Sequence, residues 1–123
     1  MSASDNSASD APIFELDRRE AVPALIGRHE DFLIVAGLAG TGRDIAALTE
    51  NAAHGFAMGG AMGGACMIGL GLALARRDRR VLVVTGDGEL LMNVGALATT
   101  ISCLIGLSAG QLIVGLTIAK RNP

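Results

Sequence analysis

Arg80-Val81-Leu82-Val83-Val84-Thr85-Gly86-Asp87-Gly88-Glu89 is an apolar, β-branched run that ends in two glycines around one carboxylate. The run has the composition of a strand buried within a parallel sheet, and such a strand delivers its last residues to the carboxyl edge, where ligands bind in α/β proteins. Glycines at that edge let the backbone come close to an anion. A carboxylate on the same turn, Asp87, can hold Mg²⁺, a hard cation that prefers oxygen ligands and commonly bridges to phosphates. Its plainer reading is a turn residue that bonds its own backbone.

Around this stretch the composition describes a small α/β domain. The chain has 123 residues, half of them hydrophobic, yet its 3 Phe are the only aromatics, so the core must be built from Ala, Leu, Ile, Val and Met. The formal net charge of −2 leaves no basic stripe to displace counterions, which argues against nucleic acid as a partner. Cys66 and Cys103 sit in apolar surroundings without metal-ligand spacing and read as small buried hydrophobes, which suits a reducing, cytoplasmic setting.

Residues 1–16 are rich in Ser, Asp and Ala and lack the basic and apolar regions of a secretory signal, so they read as a disordered head. Order is expected from 17 onward. Ala21, Val22, Leu25 and Ile26 recur at helical spacing, Phe32 to Ala36 reads as a strand, and Gly37 to Gly42 as the loop leaving it. Arg43 to Glu50 is expected as a short helix and Asn51 to Phe56 as a connection. Gly63 to Arg77 reads as a helix with apolar residues on every face, one that has to be covered on all sides. Arg76 to Arg80 is a charged turn, and Gln111 to Ala119 permits a last strand.

The linked segments Gly59-Gly60-Ala61-Met62-Gly63-Gly64, Ile68 to Ala75, Val81 to Gly88 and Leu91 to Thr99 together resemble the diphosphate-binding domain of thiamine-diphosphate enzymes. The small-subunit form in sulfopyruvate and phosphonopyruvate decarboxylases is the nearest resemblance. It covers Arg18 to Thr100 and is more specific than a lone glycine fingerprint. It implies a three-layer α/β fold, a mainly parallel sheet with helices on both faces, here incomplete. Domain 17–123 is then family-like to about 100 and divergent over 101–123.

The resemblance also implies roles. Asp87 becomes the Mg²⁺ ligand, and the amides around Gly86, Gly88 and Glu89 cradle the diphosphate of thiamine diphosphate. Gly60 offers its carbonyl to the aminopyrimidine, and Met62 supports the bent cofactor. Asn93 could reach the diphosphate or metal, or bond locally on its helix. The chemistry in such enzymes belongs to the cofactor, an electron sink for a 2-oxo acid.

Three departures from the family pattern matter. The Asp-Asn pair that completes the metal site in the family has no counterpart, because residues 112–119 contain neither carboxylate nor amide. Glu89 places an acid beside the diphosphate, where like charges repel unless its side chain turns away. The pyrimidine domain that activates the cofactor has no room here, so a separate pyrimidine-domain subunit in a hetero- or homo-oligomer is expected. The expected function is the cofactor- and Mg²⁺-binding module of a 2-oxo acid decarboxylase, not competent alone, with the tail a truncated or frame-shifted end. The alternatives are a non-catalytic remnant and a two-helix membrane protein, since 57–75 and 90–119 carry no charge.

Overall fold

The structure, a computed structural model, describes residues 17–107 and 112–117; the expected head at 1–16 lies outside them. Four strands form one parallel sheet in the order β2-β1-β3-β4. They are β1 (Phe32–Ala36), β2 (Gly55–Ala57), β3 (Arg80–Gly86) and β4 (Leu112–Thr117). The helices are α1 (Arg18–Ile26), α2 (Gly40–Thr49), α3 (Ala65–Ala75), α4 (Asp87–Met92) and α5 (Gly95–Leu107).

β1 and β3 form the middle of the sheet, with Ile34 opposite Leu82, Val35 opposite Val83 and Ala36 opposite Val84. Successive residues point to opposite faces, and both faces are apolar because both are covered. On one face Phe32, Ile34, Ala36, Leu82 and Val84 pack against Val22 of α1 and Ile45 of α2. On the other, Val35, Val81 and Val83 pack against Ala65, Cys66, Leu70 and Ala73 of α3 and Ala96 of α5. This is the expected three-layer α/β arrangement. At the amino edge the Arg80 guanidinium lies 4.6 Å over the Phe32 ring, shielding the end of the core.

The local causes are legible. Asp17 caps α1 by accepting from the Arg19 amide at 2.9 Å, and the helix runs through Pro23. An Arg18–Asp44 ion pair, with Asp44 only 11% exposed, ties α1 to α2. Asp44→Ala strands the guanidinium and should cost about 1–3 kcal/mol, read as a lower urea midpoint at unchanged slope. The 76–80 turn is solvated, as expected: Arg76 holds Asp78 in a two-point pair at 2.8 and 2.7 Å. That hydrogen-bonded guanidinium holds the Asp78 carboxyl down to about 2.

Two elements differ from expectation. α2 begins at Gly40 rather than Arg43, although Gly is a poor helix former. Thr41 and Gly42 are buried there, and packing overrides propensity. The stretch expected as a connection ends in β2, three residues too short to show a period. It forms because the β1 edge offers partners: the Ile34 amide donates to the His54 carbonyl at 2.7 Å and the Met58 amide to the Ala36 carbonyl at 3.0 Å.

The helix expected at Gly63–Arg77 is shorter, and one side of it is open: Met67 and Ile68 are each 41% exposed. Leu91, Met92, Val94 and Ile101 are exposed as well. So much uncovered apolar surface favours association, and the isolated chain should sediment as an oligomer; a clean monomer at micromolar concentration would contradict this. Among the described residues no helix is long and apolar enough to cross a membrane. The uncharged 57–75 stretch, read alternatively as a span, is the end of β2, a loop and an 11-residue helix.

Candidate functional site

The sheet order places a topological switch point between β1 and β3. The chain leaves β1 toward β2 through α2 and leaves β3 toward β4 through α4 and α5, on opposite sides, the arrangement at whose carboxyl ends α/β proteins bind ligands. Three loops meet that edge: Gly37 to Ala39 after β1, Met58 to Gly64 after β2, and the Gly86-Asp87-Gly88 turn after β3.

β3 ends at Gly86, and the backbone turns at once into α4. The space where a side chain would stand at Gly86 or Gly88 is open, so an anion has access to the turn's backbone. Asp87 is exposed, and its Oδ1 accepts from the Gly88 amide at 2.8 Å. The plainer turn reading is thus present geometrically, and it leaves the carboxylate facing solvent. Among the described residues no three His, Cys, Asp or Glu side chains gather closely enough to hold a metal, so a cation here would rest on Asp87 with oxygens brought by a ligand.

Glu89 turns the other way. It is 5% exposed, and its Oε2 accepts from the Leu38 amide at 2.9 Å, across the switch point. The charge beside the open turn is therefore withdrawn beneath it. The Cys66 thiol is pushed up by burial and then by the Glu89 charge, as befits an inert core cysteine.

Asn93 closes α4 and donates from Nδ2 to the Gly63 carbonyl at 3.1 Å, bracing the glycine-rich loop against the turn. Gly63 sits at φ +92°, and a side chain there would start 3.0 Å from the Asn93 Cβ, so this crossing demands glycine. Gly60 and Met62 are exposed on the same loop, Met62 by 53%. Ala61 between them holds a positive φ of 58°, as does Ala39 in the β1 loop at 56°, conformations that cost energy and that surrounding structure must impose.

All seven candidate residues, Gly60, Met62, Gly86, Asp87, Gly88, Glu89 and Asn93, lie on the loops of one edge, in α4 or, for Asn93, at its end. His54 lies apart from them: it precedes β2 at the amino edge, its Nε2 2.9 Å from Nδ1 of His29. The loop after β1 was missed as part of the site. Its signal is Gly37 directly following a strand, in a stretch whose residues by themselves mark only the loop leaving β1.

The chain is similar in sequence to known proteins. Residues 38–105 match the family described as thiamine pyrophosphate enzyme, C-terminal TPP binding domain. The chain is 42% identical over 99 residues to the sulfopyruvate decarboxylase subunit beta of Methanothermobacter thermautotrophicus, covering 80% of this chain and 50% of that one. It is 44% identical over 69 residues to the phosphonopyruvate decarboxylase of Streptomyces viridochromogenes, covering 56% of this chain and 17% of that one. A 44-residue stretch is 57% identical to the sulfopyruvate decarboxylase subunit beta of Methanocaldococcus jannaschii, covering 36% of this chain and 23% of that one. The chain thus spans half or less of the length of each of these relatives.

Proposed function

The chain belongs to the C-terminal TPP-binding domain family of thiamine pyrophosphate enzymes, and from that premise we propose that it holds the diphosphate end of thiamine diphosphate, with Mg²⁺, for decarboxylation of a 2-oxo acid. The observation that carries the reading is the divergence of two neighbouring acids, Asp87 exposed and Glu89 buried, beside a turn with open space at both glycines. The residues fit the group: an anion can reach the turn without meeting the Glu89 carboxylate, and Asp87 remains for the cation.

In this reading the amides at Gly86, Gly88 and Glu89 bind the diphosphate. Asp87 would hold Mg²⁺, a hard cation that takes oxygen ligands. The Gly60 carbonyl and the Met62 side chain orient the other end, and Asn93 keeps their loop at a set distance from the turn through Gly63. The bound cofactor supplies the electron sink for decarboxylation. The exposed apolar side chains of α3, α4 and α5 support a partner subunit that brings the pyrimidine-side residues, and the relatives named as beta subunits support the same division of labour.

Calorimetric titration of thiamine diphosphate, with and without Mg²⁺, tests the reading. Saturable binding that needs the cation is the expected result. No binding in either condition, by the chain alone or assembled with a pyrimidine-domain subunit, would overturn it.

A further inference from the structure

We propose that Glu89 is a positioning residue of this site: through the Leu38 amide its buried side chain sets the distance between the loop after β1 and the Gly86–Gly88 turn after β3. The proposal rests on the cofactor reading above and goes beyond the role of the Glu89 backbone.

A carboxylate 5% exposed is costly unless its oxygens are partnered. Here one oxygen is satisfied by Leu38, while Oε1 has no partner among the described residues. A side chain retained under those conditions has to be placed by the fold, and the surrounding geometry is built for it. The ladder between the two strands ends where the Gly37 amide donates to the Val84 carbonyl at 2.8 Å. Beyond that point the β1 loop has left the sheet, and the Leu38 amide would lack an acceptor. Glu89 supplies one from the neighbouring strand's turn, 51 residues away in sequence.

Gly37 is the other half of the device. A Cβ on it would stand 2.1 Å from the Glu89 Oε2 and 3.1 Å from the Thr85 Oγ1, so the carboxylate reaches the loop only because residue 37 has no side chain. Ala39, two residues on, is held at φ 56° where the loop enters α2. Strain of that kind persists only when something fixes the loop from outside, and the Glu89 bond, one residue past the Gly37–Val84 bond, is a contact that does so across the switch point.

The test uses the full chain as wild type, Glu89→Gln, Glu89→Ala and Gly37→Ala, with two readouts: amide exchange at Leu38, and titration of thiamine diphosphate with Mg²⁺. Glu89→Gln keeps a carbonyl acceptor and should stay within about threefold of wild type in both. Glu89→Ala should speed Leu38 exchange and weaken cofactor binding by roughly tenfold or more. Gly37→Ala displaces the carboxylate without removing it and should weaken binding similarly, which covers the case in which Glu89→Ala fails to fold. Wild-type affinity in Glu89→Ala or Gly37→Ala would overturn the proposal, as would a Gln variant as weak as the Ala one. Failure of the wild type to bind would overturn the cofactor reading itself and this proposal with it.

Discussion

Asp87→Ala should abolish Mg²⁺-dependent stabilisation by thiamine diphosphate while leaving the unliganded protein nearly as stable as wild type. Asp87 is exposed, and among the described residues its side chain accepts only from the amide of the next residue. Removing such a group typically changes stability by about 0.5 kcal/mol or less. Ligand that binds only the native state adds about 2.7 kcal/mol at a hundredfold excess over Kd, several degrees of melting temperature for a domain of this size. The wild type should show that shift with Mg²⁺, and the variant should show none. A variant that keeps the full shift would remove Asp87 from the metal site. A variant that melts far below wild type without ligand would assign it a structural role.

Ile34→Ala should cost about 2–5 kcal/mol, a large part of the roughly 5–15 kcal/mol typical of a domain. Ile34 is 1% exposed in the middle of the sheet, packed with Phe32, Ile45, Leu82 and Val84, and those neighbours cannot collapse into the space without bending a central strand. Leu25→Ala is the control. Leu25 shares the helical spacing of Val22 but is 84% exposed, so its truncation should stay within about 0.5 kcal/mol. Urea denaturation of both variants checks the contrast; comparable losses would mean that α1 packs differently from the structure described here.

That pair shows how far periodicity reaches. The spacing of Ala21, Val22, Leu25 and Ile26 correctly marks a helix, but it does not say which side chains meet the sheet; α1 is short, and only Val22 is buried. β1 and β3 were legible because strands buried on both faces are apolar at every position, a signal that needs no partner to be recognised. β2 was not, because three residues carry no pattern and its pairing depends on the β1 edge. Gly86, Asp87 and Gly88 were legible from their place after an apolar run, whereas the roles of Gly60, Met62, Glu89 and Asn93 came with the family resemblance. The loop after β1 was overlooked because its place in the site comes from strand order, and strand order is not written in any local stretch.

Glu89 marks the boundary between the two kinds of information. From residues 80 to 89 alone, a buried strand follows, and an anion-accepting turn with a cation ligand at Asp87 is expected, from side-chain chemistry and backbone freedom, because these are properties of adjacent residues. The same residues present Glu89 as a conflict, an acid beside an expected diphosphate. Its resolution needed the sheet: β1 lies beside β3, the Leu38 amide is left without a ladder partner, and Gly37 makes room, so the carboxylate turns inward to a donor far away in sequence. Local chemistry names the groups, and the meeting of distant segments sets where their charges point, because a hydrogen bond across a switch point exists only once the strands are in order.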